Sequence, residues 1–222
     1  MTIYNSYLEG EVGRADNMTR GVHRRLRMTG NQNLTVAQYE PEYTGMAEAG
    51  RIYCAQPGVV ANAIASAVDT PTTGAQWALY NGAPATSNIA LLILGVSFFS
   101  ASGTIGIGAA LLGGVSSAAQ ASAVTTTAGN LIYSTCGSSR TTVATYDSTL
   151  TLTGQPAWMA LATSNTPSGV AIGYGGSNYD LKGMFLVPRT YCFAMAVVSP
   201  TGTNPAFLAS VVYAEVETTN YV

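Results

Sequence analysis

The chain has 222 residues, of which 47% are hydrophobic and only 9% are charged, and its net charge is −2. A chain that binds nucleic acid needs an excess of positive charge, so this balance argues against nucleic acid as a partner. An ordinary soluble domain keeps about a quarter of its residues charged. Much of this surface is therefore expected to be either covered or neutral.

Charge divides the chain near residue 51. Six acids and six arginines lie in residues 1–51, whereas residues 52–139 contain a single charge, Asp69. We interpret residues 1–50 as a charged, extended N-terminal arm and residues 51–222 as the body. Within the arm, residues 17–28 could form a short helix. The N-terminus has no basic segment followed by an apolar one, so no signal peptide is predicted.

The arm contains a basic cluster, Val22-His-Arg-Arg-Leu-Arg27. Arginine forks suit carboxylates and phosphates. Because acids and arginines balance in the arm, we favour pairing with a neighbouring subunit or another arm over nucleic acid. Pairing with acids of the same chain stays open. The candidate assembly residues of the arm are His23, Arg24, Arg25, Arg27, Glu40 and Glu42.

The body consists of short apolar or alternating runs separated by Gly, Pro and Asn. Such runs predict an all-β protein, a jelly-roll-like antiparallel β-sandwich. Residues 100–129, rich in Gly, Ala and Ser, have only a weak period. The predicted strands are 51–55, 59–68, 76–81, 89–99, 131–136, 141–147, 156–163, 180–187, 191–199 and 206–217.

The uncharged stretch 88–115 is long enough to cross a bilayer as a helix. Four hydroxyl residues interrupt its middle, six glycines weaken a helix, and no Lys or Arg flanks either end. We therefore expect buried strands and a loop, and the sequence does not favour membrane insertion.

The sequence shows no pattern that would name an enzyme. The only histidine, His23, lies in the arm, no G-x-S-x-G elbow is present, and Lys182 follows no phosphate-binding loop. The three cysteines have no zinc-ligand spacing and are expected to be buried thiols. We expect no metal, no cofactor and no catalytic residues.

Four other side chains invite a functional interpretation. Trp77 and Trp158 lie in predicted strands and are expected in the core. Glu215 and Glu217 are two residues apart and share one face of a strand, where two carboxylates could bind a cation. We favour the solvent face of an edge strand.

Tyr174 and Tyr179 flank the glycine-rich loop 173–177. They form a possible binding loop for a sugar, or they pack against a neighbouring subunit.

The run GMFLVPRTYCFAMAVVSPTGTNPAFLASVVYAEVE resembles the closing strands of TNF/C1q-like trimeric jelly rolls, and also sandwich proteins of tailed-phage particles. The turn is usually Pro-Gly in these proteins, whereas here it is Pro188-Arg189-Thr190. The resemblance covers roughly residues 150–217. It implies a trimeric β-sandwich in a virion.

These observations predict a non-enzymatic structural protein of a virion or extracellular fibre, as a capsid, head-decoration or filament subunit. It would assemble as a homo-oligomer, a trimer by the resemblance, through its arm and its apolar body. Its partners would be neighbouring subunits or other virion proteins. The alternative is a receptor- or glycan-binding module of a phage fibre.

Overall fold

The computed structural model of the chain describes residues 8–11, 23–26, 43–59, 63–72, 74–102, 109–116, 130–137, 139–152, 155–164, 177–199 and 206–218. Within these ranges the arm contributes β1 (Leu8–Glu11), β2 (His23–Leu26) and α1 (Thr44–Glu48). The body contributes β3 (Ile52–Pro57), β4 (Ile64–Ala65), β5 (Gly74–Asn81), β6 (Ile89–Ser102), β7 (Ala109–Ser116), β8 (Asn130–Ser134), β9 (Ala144–Leu152), β10 (Ala157–Ser164), β11 (Ser177–Val187), β12 (Cys192–Val198) and β13 (Ala206–Glu217).

The body strands form two antiparallel sheets. The β12 sheet has the order β10-β7-β12-β5-β9, and the β13 sheet has the order β11-β6-β13-β3-β8, with the short β4 also paired to β13. Buried side chains from both sheets join in one core cluster, so the sheets pack face to face. The predicted all-β sandwich is confirmed.

The pairing of the strands follows the jelly-roll pattern. Strand β3 pairs with β13, β5 with β12, β6 with β11, and β7 with β10. The first strands of the body thus pair with its last strands, and each following pair is closer together along the chain. Strands β8 and β9 lie between β7 and β10 in the chain. They extend the two sheets, with β8 beside β3 and β9 beside β5.

The centre of the sandwich is aromatic. The ring of Trp77 stacks on Tyr146 with centroids 5.1 Å apart, and its indole N–H donates to the carbonyl of Phe207 on the opposite sheet at 3.2 Å. Tyr53 stacks on Tyr213 at 5.5 Å. Trp77 is thus in the core as expected. Trp158 is half-buried outside the main cluster, where its indole N–H donates to Pro71 O at 2.8 Å.

The stretch predicted as buried strands forms β6 and β7, which lie in different sheets. No helix among the described residues is long and apolar enough to cross a membrane. The sequence pattern had not separated β7 from the Gly/Ala/Ser stretch. A Cβ added to Gly113 in β7 would stand 2.9 Å from the Phe193 ring, so the strand needs small residues there to accept its neighbour.

Three expectations are wrong. His23–Leu26 forms a strand and not part of a helix. Strand β13 is not an edge, because β6 and β3 flank it, and Glu215 on it is 2% exposed. Cys136 is exposed and Cys54 is half-buried, so only Cys192 is a buried thiol.

A buried asparagine joins three elements at one end of the sandwich. Asn81 is fully buried, and its Nδ2 donates to the carbonyls of Ile89 and Val187, both at 3.0 Å. Its Oδ1 accepts a hydrogen bond from the Ala83 N–H at 3.1 Å. The amide thereby ties the end of β5 to the start of β6 and the end of β11, and it satisfies backbone groups that water cannot reach.

The Asn81→Ala variant should lose about 3 kcal/mol of unfolding free energy, because it leaves buried carbonyls and an N–H unpaired. Urea unfolding at fixed protein concentration measures this loss. Asn88→Ala is the control, because Asn88 is exposed; its loss should stay within about 0.5 kcal/mol. Similar losses in both variants would contradict the role given to Asn81.

The turn between β11 and β12 contains an unusual threonine. The Tyr191 N–H donates to Pro188 O at 3.2 Å, and Thr190 has a φ of 68°. A β-branched residue in the left-handed region is strained. Glycine adopts this backbone conformation without strain.

The Thr190→Gly variant should therefore gain about 1 kcal/mol in stability. The melting temperature should rise by roughly 2–4 °C for a chain of this length. Thr190→Ala is the control, because alanine keeps a Cβ and most of the strain. An equal gain in the alanine variant would show that backbone strain is not the cause.

Candidate assembly interface

Buried and partly exposed side chains alternate along β13 from Phe207 to Val212, and this alternation identifies the outer face of the β13 sheet. In β13, Phe207, Ala209 and Val211 are buried, whereas Ser210 and Val212 between and beside them are partly exposed. Successive side chains of a strand point to opposite faces, so the second set points away from the core.

The same alternation continues in the neighbouring strands, and it is most open on β8, where Leu131 is 47% and Tyr133 is 41% exposed. We call the outward side chains of β3, β6, β8 and β13 the neutral face. Its members are Cys54, Gln56, Leu92, Ser97, Phe99, Leu131, Tyr133, Ser210 and Val212.

The register aligns these side chains in rows across the sheet. Tyr133 lies opposite Cys54, Cys54 opposite Val212, and Val212 opposite Gly95. Gln56 donates a hydrogen bond to the Tyr133 hydroxyl within the face. Four adjacent strands span about 14 Å at the usual spacing, so such a row is continuous.

The neutral face has a neutral centre and a charged rim. None of its members is charged, while Asp180 and Lys182 lie on β11 at one edge. At one end of the sheet, Arg51 contacts Glu217 at 3.1 Å. Depletion of charge at the centre with polar groups around it is typical of protein interfaces.

Glu215 forms a polar cluster inside the sandwich, at the end of the sheet where Arg51 pairs with Glu217. One oxygen of Glu215 accepts from the Val143 N–H at 2.7 Å and from the Thr142 hydroxyl at 2.8 Å. Its other oxygen is 4.0 Å from the Arg140 guanidinium. These bonds fix the segment before β9 to β13, which is a structural role.

The tyrosines beside Glu215 are held in their neutral form. Burial raises the pKa of Tyr213 far above its usual value, against a smaller lowering by its Thr142 hydrogen bond. Burial is also the largest cause of the raised pKa of Tyr53, and the charge of Glu215 adds to it. Tyr213 therefore acts as a hydrogen-bonding and stacking group and Tyr53 as a stacking group, and neither acts as a base.

The structure places part of the basic cluster of the arm in a hairpin. In the pairing of β1 with β2, Glu9 lies opposite Arg25, Glu11 opposite His23 and Gly10 opposite Arg24. Two acidic residues of the arm are thus the register partners of an arginine and a histidine of the same chain. Arg27, Glu40 and Glu42 lie outside the described residues.

The predicted tyrosine loop is described only in part. Tyr179 is half-buried in β11, with its ring edge-on to Phe98 at 6.3 Å, and it packs against the core. Tyr174 lies outside the described residues. The pairing of Tyr174 with Tyr179 in one binding loop therefore stays a prediction.

Other possible sites among the described residues offer little chemistry. No group of three or more His, Cys, Asp or Glu side chains in the described ranges could hold a metal ion. A cavity of about 270 Å³ lies beside the turn between β11 and β12, lined by Asn88, Leu186, Arg189 and their neighbours. It contains one charged side chain and no acid–base pair.

The members of the neutral face were not recognised as such from the sequence. The run 131–136 predicted a strand, but its alternation does not say which of its faces meets the core. The absence of charge on both faces of β3, β6 and β8 was the available signal.

No family model, curated protein or solved structure matches this chain. Any inference about the role of this chain therefore comes from its own residues.

The Glu215→Ala variant should lose about 2–3 kcal/mol of unfolding free energy, because the part-buried Val143 N–H loses a charged acceptor. Glu217→Ala is the matched control two residues away, since Glu217 is exposed and its pair with Arg51 is worth at most about 1 kcal/mol. Urea unfolding of both variants measures the difference. Equal losses would mean that the Glu215 contacts do not hold the segment before β9.

Proposed function

We propose that this chain is a non-enzymatic structural protein of a virion or extracellular fibre, as a capsid, head-decoration or filament subunit. The single observation that carries the proposal is the neutral face. A soluble monomer spreads charge over its surface, and this chain instead has a broad uncharged sheet face with charges at one edge and one end. Such a face is best explained by burial in an assembly.

The body suits this role mechanically. The buried polar groups at one end of the sandwich, those of Asn81 and Glu215, make hydrogen bonds that join strand ends. Jelly rolls are a recurrent architecture of capsid domains. A trimer is the stoichiometry that the resemblance of residues 150–217 implies, and we propose it on that ground.

The arm is proposed to connect the body to a neighbouring subunit or to another protein of the particle. Its acids and arginines balance, which suits a protein partner better than nucleic acid. The hairpin of β1 and β2 gives this segment local order before it meets a partner. A particle or fibre outside the cell is the proposed location, and a receptor- or glycan-binding role is the alternative.

Electron microscopy of the purified chain, combined with light scattering, tests the proposal. Uniform particles, fibres or discrete oligomers are expected. A monomer at micromolar concentration in both measurements would overturn it. A glycan array on the same sample tests the alternative.

Deleting residues 1–50 should leave a folded body that no longer forms higher assemblies. The reason is the charge boundary near residue 51, together with a core built from β3 onward. Circular dichroism checks that the shortened chain keeps its strands, and micrographs check assembly. Assemblies indistinguishable from those of the full chain would refute the role of the arm.

A further inference from the structure

The neutral face exposes apolar side chains to water next to an open strand edge. Leu131 and Tyr133 on β8, and Phe99 on β6, are exposed apolar or aromatic side chains on one continuous sheet. Strand β8 is also the edge of its sheet, and Asn130–Ser134 contains neither a charge nor a proline. Natural proteins protect such edges with Lys, Pro or a covering element.

The size of the face is close to that of a functional surface patch. Its four strands at about 4.8 Å spacing are roughly 14 Å wide, and β13 from Leu208 to Ala214 is about 20 Å long. The projected area is thus about 280 Å², just below the roughly 300–600 Å² of the largest patches on monomers, which are often functional. Side-chain relief and the rim increase the accessible area towards the roughly 800 Å² per partner of a standard interface.

The distribution of charge identifies the partner. A face without charge offers nothing to attract an anionic lipid, a nucleic acid or an acidic peptide. Its rim carries both signs in close proximity, with Asp180 near Lys182 and Arg51 beside Glu217. A rim with equal numbers of acids and bases can complement a second copy of itself, which is the condition for a symmetric contact between identical subunits.

We propose that the neutral face of one chain packs against the neutral face of another copy of the same chain. This inference rests on the proposed function, because it names the partner of that assembly surface. Cys54 lies at the centre of the contact, opposite Val212. Cys136 lies beyond the end of β8 and is exposed.

These two thiols report on the contact without any mutation. The full chain is diluted through its association range, pulse-labelled with iodoacetamide, and each cysteine is quantified by peptide mass spectrometry. Labelling of Cys54 is expected to slow at least about tenfold as the oligomer forms, because the partner excludes the reagent. Cys136 should be labelled at the same rate throughout. Cys192 should not react, since burial raises its thiol pKa to about 11.

A pair of matched variants gives a second readout. Leu131→Lys places a charge on the neutral face at the edge strand β8, at a position open enough for the fold to tolerate it. Met159→Lys is the control, because Met159 is 37% exposed on β10, an edge strand of the other sheet. Light scattering should show that Leu131→Lys needs at least about tenfold more protein to associate. Met159→Lys should associate like the unaltered chain.

The outcomes separate the two proposals. An oligomer in which Cys54 is labelled freely, and which Leu131→Lys does not weaken, overturns this inference while the proposed function stands. A chain that stays monomeric at all concentrations overturns both. A monomer that protects Cys54 only when it floats with neutral phosphatidylcholine vesicles would assign the face to a lipid surface and overturn the contact between copies.

Discussion

Strand β13 is the element on which the rest of the structure depends. It lies at the centre of its sheet, with β6 on one side and β3 and β4 on the other. Its odd-numbered side chains from Phe207 to Glu215 are buried, and Ser210 and Val212 between and beside them lie in the middle of the neutral face. Because a strand has a period of two, a shift of one residue would exchange the core and the outer surface. One strand therefore sets both the packing and the candidate interface.

The polar groups of the body are arranged around this constraint. Asn81 and Glu215 lie at one end of the sandwich, where strands stop and backbone groups lose their ladder partners. Each supplies hydrogen bonds that the ladder no longer provides. Asp180 and Lys182 lie on one edge of the β13 sheet, and Arg51 and Glu217 pair at one of its ends. The central part of the outer face is consequently left to apolar and hydroxyl side chains.

The local sequence pattern predicted the strands well, but it did not predict which strands pair with each other in the sheets. Runs such as 191–199 and 206–217 alternate or are wholly apolar, and they form β12 and β13. Strand β7 escaped prediction because Gly113 and Gly114 carry no side chain to show a period, and their role depends on Phe193 and Ala157 across the sheet. The expectation that Glu215 lies on an exposed edge strand is wrong for a related reason. A strand's position within a sheet is decided by distant pairings, which one sequence does not show.

The two sheets show which part of the uncharged sequence lies in the core and which part lies on the surface. An uncharged sequence alone is compatible with a membrane segment, a neutral soluble surface or an assembly. The division of the apolar, uncharged stretch 88–115 between β6 and β7 puts part of it in each sheet, where Val96, Phe98 and Leu111 join the common core. What remains outside is the neutral face, which includes the uncharged edge strand β8. Covering such a face removes apolar area from water at about 25 cal/mol per Å². A second copy does so without burying an unpaired charge.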